Sequence, residues 1–192
     1  MTKPGLDLDA YLARIGYAGP RQASLQVLRD LHRLHAAAIA FENLSPLMDA
    51  PVPLALPDLQ AKLVHGGRGG YCYEHNNLFW AALASLGFQA QGLAARVRWR
   101  MPDDAPPRPR SHMALLAHLP EGPFIADVGF GAMTMSGPLA LIAGAAQPTP
   151  HESFRLLSAA DGAFDLQAEV ARSGAPSTAS TSRLTCPGTT RR

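Results

Sequence analysis

Cysteine is scarce in this chain. Only Cys72 and Cys186 occur among its 192 residues, which excludes a disulfide framework and a four-ligand zinc site. No apolar run reaches the roughly eighteen residues that a membrane-spanning helix needs, and the first residues lack the basic-then-apolar pattern of a secretory signal. The expected location is the cytoplasm, without membrane contact. Charge of one sign is also lacking: 17 Lys and Arg against 15 Asp and Glu leave a net +2. Arg96, Arg98, Arg100, Arg108 and Arg110 form a local basic stretch, read either as a solvated strand and loop or as an attraction for an anionic ligand such as a nucleotide. No recognition motif accompanies these arginines, so nucleic acid is not an expected partner. No motif for a metal or a tightly bound cofactor is found. What is present is an ordinary composition, 47% hydrophobic and 17% charged, and enough length for one large domain or two small ones.

The first half reads as helical. Leu8, Tyr11, Leu12 and Ile15 recur at helical spacing until Gly16 stops them. A second helix is expected over residues 22–38, a third over 58–64 ending at Gly66-Gly67, and a fourth from Cys72 to a stop at Gly87. His32, His35 and His65 fall in helical or helix-end contexts and are expected on the surface. From Phe88 the pattern changes to short strands, over residues 88–100, 112–119, 124–128, 154–157 and 164–170, with Asp161-Gly162 as a hairpin turn. The fold class is therefore α+β: a helical bundle over residues 1–86, then an antiparallel sheet or barrel over 87–170. From Arg172 the chain is mostly Ser, Thr, Ala, Gly, Pro and Arg, with Leu184 its only large hydrophobe. Such a segment buries too little to offset its ordering entropy, so residues 171–192 are expected to be a disordered tail.

The stretch Arg68-Gly69-Gly70-Tyr71-Cys72-Tyr73-Glu74-His75-Asn76 places a cysteine where a glycine-rich loop enters a helix. Unpaired N–H groups at a helix N-terminus carry partial positive charge and favour an anionic sulfur there. Neighbouring amides can also hold an oxyanion. A buried structural cysteine is the alternative reading. A thiolate nucleophile needs a base, and the base needs an orienting group. His112 opens a strand after a Pro-rich loop and can project into a cleft, or it is a partly buried edge-strand histidine. Asp127 ends an apolar strand and needs a buried partner. Gly129-Phe130-Gly131 follows at once and can form a flexible wall bearing an aromatic ring.

Together these residues resemble the arylamine N-acetyltransferase family. Arg68 to Glu74 resembles its active-site signature, and Arg14-Ile15-Gly16-Tyr17, Phe41-Glu42-Asn43-Leu44, His112-Met113 and Asp127 to Gly131 match further blocks in the same order. The resemblance covers about residues 5 to 170. It implies that Cys72 accepts the acetyl group, that His112 is its base, and that Asp127 orients His112. It implies a helical bundle, a β-barrel and an α/β lid, with a core similar to that of papain-like cysteine proteases; the lid is expected to be largely missing here. Phe41 and Phe130 match aromatics lining the acceptor pocket, and Gly129 and Gly131 flank a loop near the coenzyme. With Arg68, Gly70 and Tyr71 they make the expected substrate and coenzyme surface. Arg14 and Glu42 match positions that form a structural ion pair.

The implied reaction is ping-pong acetyl transfer from acetyl-CoA to an aromatic amine, hydrazine or N-hydroxyarylamine, with no metal. Competing readings are an amide hydrolase using the same triad and an inactive remnant. Two departures stand out: His75 occupies a position where the family usually has Gln, and Ala40 replaces a Pro. The atypical ending is consistent with a change of reading frame near Val170, which sequencing the gene decides. The oligomeric state is not legible.

Overall fold

Local signals set most helix boundaries. The computed structural model describes residues 5–102, 104–159, 162–172 and 175–185. Helix α1 (Leu8–Ile15) starts where the Asp7 carboxylate accepts the Ala10 N–H and ends at Gly16, whose φ of 69° suits glycine. Helix α2 (Leu25–Ala38) starts later than expected because Ser24 caps it, its hydroxyl accepting the Val27 N–H. A short α3 (Leu44–Leu47) was not foreseen, since its four residues show no periodicity. Helix α4 (Leu56–Leu59) continues into a π-helical turn, Gln60–His65, which closes at Gly66. Helix α5 (Cys72–Ser85) carries the central cysteine at its first position.

Eight antiparallel strands follow: β1 (Gln89–Val97), β2 (His112–Leu119), β3 (Gly122–Ala126), β4 (Leu139–Ala140), β5 (Ala146–Pro148), β6 (Ser153–Ser158), β7 (Ala163–Arg172) and β8 (Ala175–Thr185). Their order in the sheet is β4-β3-β2-β1-β8-β7-β6-β5. The two edges approach each other: the Gln147 amide of β5 accepts the Ala140 N–H of β4 at 2.7 Å and donates to the Ala140 carbonyl at 2.9 Å. The sheet is thereby a nearly closed barrel.

Strand β2 serves two cores because its side chains alternate between faces. Met113, Leu115 and Ala117 join Tyr11, Leu28, Leu31, Leu78, Phe79 and Leu83 in the helical core. Ala114 and Leu116 join Leu93, Ile125, Phe154, Leu156, Leu166 and Leu184 inside the barrel. This packing fixes α5 against β2, and so Cys72 against the start of β2.

Two expectations are corrected. Residues 175–185, expected to be disordered, form β8 between β1 and β7. Composition misleads there because ladder bonds to β7 run the length of the strand and residues 182–185 also pair with β1. Such a strand needs few apolar anchors, and Leu184 and Ser182 are fully buried. His32 and His35, expected on the surface, are fully buried, since both lie on the face of α2 that meets α5. Asp161 and Cys186 lie outside the described residues.

Candidate active site

The loop before α5 is shaped by close backbone contact. A Cβ on Gly69 would lie 2.0 Å from the Ala40 carbonyl oxygen, so only glycine fits. The Gly70 N–H donates to that carbonyl at 3.2 Å, and the Gly70 carbonyl accepts the Glu42 N–H at 2.8 Å. At the helix start the buried Glu74 accepts the Tyr71 N–H at 3.0 Å and pairs with Lys62 at 2.7 Å. Cys72 is thus presented on a backbone tied down from two sides.

Cys72 is 8% exposed, with its sulfur 3.7 Å from the Ser111 carbonyl. The next residue, His112, opens β2. Its Nε2 donates to Oδ2 of Asp127 at 2.6 Å, which leaves Nδ1 to face a nucleophile. Both His112 and Asp127 are buried. Burial alone would pull His112 down, but the charge and hydrogen bond of Asp127, with a smaller effect of the nearby Cys72, more than offset it and raise the imidazole to about 10. Burial would raise Asp127, yet His112, Asn76 and the Gly129 N–H together hold its carboxyl below the usual range.

Asp127 is over-determined. Its Oδ1 accepts from Asn76 Nδ2 and from the Gly129 N–H, each at 3.0 Å. Its backbone N–H donates to Nε2 of His32 at 3.1 Å. Asn76 also donates to the Met113 carbonyl at 2.8 Å and accepts the Val128 N–H at 3.2 Å. One fully buried amide therefore clamps both strands of the site to α5. Neither Asn76 nor His32 was singled out from the sequence. The available signal was spacing: Asn76 is four residues after Cys72, on the same helix face.

The expected wall residues are gathered here. A Cβ on Gly129 would lie 3.1 Å from the Cys72 Cα, so the Gly129–Gly131 loop presses on the first turn of α5. The Phe130 ring meets His112 edge to face, with centroids 5.3 Å apart. Phe41 abuts Gly131 and remains 44% exposed. Arg68 is engaged elsewhere, pairing with Glu42 at 2.6 Å. The expected Arg14–Glu42 ion pair is not formed. Arg14 instead donates to the Ala38, Leu63 and Gly67 carbonyls at 2.8, 3.1 and 3.2 Å. Carbonyls at helix ends lack intrahelical partners, and a guanidinium with five donors suits three of them better than one carboxylate does.

A cysteine at a helix start, a charged imidazole and a buried orienting carboxylate can together carry nucleophilic acyl chemistry. Among the described residues, no group of three or more His, Cys, Asp or Glu is placed to hold a metal, and no helix is long and apolar enough to cross a membrane. A cavity of about 420 Å³ lies elsewhere on the surface and one of about 410 Å³ is lined in part by Lys62, Arg68 and Glu74, while Cys72, His112 and Asp127 line neither.

A family model described as N-acetyltransferase matches residues 24–176. The chain is 48% identical over 171 residues to the arylamine N-acetyltransferase of Mycobacterium tuberculosis strain H37Rv, covering 86% of this chain and 59% of that one. It is 41% identical over 150 residues to the arylamine N-acetyltransferase / N-hydroxyarylamine O-acetyltransferase of Salmonella typhimurium, covering 78% and 53%. The solved structure of Mycobacterium marinum arylamine N-acetyltransferase in complex with CoA matches with a TM-score of 0.86 and 44% identity, over 93% of this chain and 65% of that one. The chain thus spans somewhat more than half the length of these curated relatives.

Proposed function

Because the chain belongs to the arylamine N-acetyltransferase family, we propose that it moves an acetyl group from acetyl-CoA to an aromatic amine, hydrazine or N-hydroxyarylamine through an acetyl-Cys72 intermediate. The observation that carries this is the His112–Asp127 contact of 2.6 Å beside the cysteine that starts α5. In this reading residues 1–86 supply the nucleophile, and the barrel from residue 87 supplies base and acid. The CoA complex of the M. marinum relative supports the donor, and the double name of the Salmonella relative supports both nitrogen and oxygen acceptors. The same reading places the chain in the cytoplasm, where acetyl-CoA is available.

The Cys72 thiolate, paired with the His112 imidazolium, attacks the thioester carbonyl. Amides at the start of α5 hold the oxyanion. The bond to the coenzyme sulfur breaks, and the His112 proton goes to the leaving thiolate. The amine nitrogen then attacks the acetyl carbonyl, the bond to Cys72 breaks, and His112 takes the amine proton. Asp127 stays ionised throughout and holds the ring in one orientation. Phe41 and Phe130 provide apolar surface for a flat acceptor.

Initial rates measured while acetyl-CoA and an arylamine are both varied test this reading. Parallel double-reciprocal lines are expected, and intersecting lines contradict it. Release of CoA at the same rate with and without amine would instead mark a hydrolase. A folded chain with no turnover at all would mark an inactive remnant.

A further inference from the structure

Helix α5 has a second buried polar arm that the triad does not use. His75 is 1% exposed, and Tyr11 and His35 are fully buried. Nε2 of His75 lies 3.1 Å from the Ala40 carbonyl oxygen. Nδ1 of His75 lies 3.0 Å from Nε2 of His35. Nδ1 of His35 lies 2.9 Å from the Tyr11 hydroxyl.

The direction of this chain is fixed by its end. A carbonyl only accepts, so Nε2 of His75 must carry the proton. A neutral imidazole has one N–H, so Nδ1 of His75 accepts from Nε2–H of His35. Nδ1 of His35 then accepts from the Tyr11 O–H. Burial keeps both rings neutral by disfavouring their charged forms.

The Ala40 carbonyl also accepts the Gly70 N–H, two residues before the nucleophile. The following residue, Phe41, bridges to Gly70 and lays its ring nearly parallel to that of His75, 13° apart with centroids 6.3 Å distant. His75 therefore bonds the backbone just before Phe41 and faces the ring of Phe41.

We propose that His75, held as one tautomer by His35 and Tyr11, is a positioning residue that fixes Phe41 as the wall against which a flat acceptor lies beside Cys72. The inference rests on the acyl-transfer reading of the site. Position 75 needs one donor and one acceptor. Glutamine offers both, whereas leucine leaves the His35 N–H buried without a partner and takes one bond from Ala40.

The test uses the full chain carrying Cys186→Ser. The rates at which N-phenylmaleimide and N-methylmaleimide alkylate Cys72 are read by intact mass. His75→Leu is expected to lower the phenyl-to-methyl rate ratio about tenfold, while His75→Gln keeps it within about twofold. The amine KM should rise in His75→Leu without a matching fall in the rate of Cys72 acetylation. An unchanged ratio in His75→Leu overturns the proposal. Side-chain ¹⁵N NMR of the unsubstituted protein needs no variant to fold: both His35 and His75 must show the Nε2–H tautomer, and an Nδ1–H tautomer at either overturns the proposal. Normal alkylation with no acetylation would sink the transferase reading instead, leaving the ratio to judge the positioning role.

Discussion

At Asp127 three donors converge on one buried carboxylate: His112, Asn76 and the Gly129 N–H. Asp127→Asn should remove the charge that raises His112. The imidazole should then titrate well below its present value of about 10 in an NMR pH titration. Acetylation of Cys72 should slow by about three to four orders of magnitude. Asn76→Ala removes a donor from Asp127, a donor from the Met113 carbonyl and an acceptor from the Val128 N–H. A stability loss of about 2–4 kcal/mol is expected in urea unfolding, with slower acetylation as the acid loosens. That Cys72, His112 and Asp127 come together was legible because each stands at an element junction: a loop-to-helix step, a strand mouth and a strand end. Asn76 and His32 were not legible, because their partners lie 51 and 95 residues away in sequence. Arg14 was misjudged because the carbonyls it meets are made available only by tertiary packing.

Strand β8 shows how pairing outweighs composition. In sequence its residues are mostly small and polar, and nothing in residues 175–185 taken alone argues for order. Yet without it β1 and β7 would each have a neighbour on one side only, and its register with them runs through Arg183 and Ser182. Arg183 grips Asp165 of β7 with two bonds, of 2.6 and 2.7 Å. Leu184 packs against the Phe154, Leu156 and Leu166 core. Leu184→Ala should cost about 2–4 kcal/mol in denaturant unfolding. A loss under about 0.5 kcal/mol would mean that the strand is not docked. Helix ends are set by local caps: Gly16 was read as a stop, whereas the Ser24 cap was missed and the second helix was expected to begin three residues early. The π-helical turn has no such local mark.

For the whole molecule, buried histidines set the pH range of stability. Unfolded histidine titrates near 6.5. His32 is pulled down to about 4 by burial, against the opposing charge of Asp127, and burial also lowers His35 and His75. As pH falls from about 6.5 towards 4, the unfolded chain takes up protons that the folded chain does not, so stability falls. His112 has the opposite sign. Its folded value is raised to about 10, so its contribution is complete below 6.5 and is lost as pH rises through about 10. Asp127, held below the usual carboxyl range, contributes stability that is lost only in stronger acid. Urea midpoints should therefore peak near pH 7 and decline on both sides, at about pH 5 and about pH 9. A midpoint that rises steadily towards pH 9 would contradict this charge assignment.

The most direct test of the acyl-enzyme claim is intact mass spectrometry after mixing with acetyl-CoA and no amine, beside a Cys72→Ala control. The account predicts one added acetyl group on the unsubstituted chain, none on the control, and loss of that group when an aromatic amine is added. A folded chain that gains no acetyl group, or gains it equally after Cys72→Ala, would contradict it.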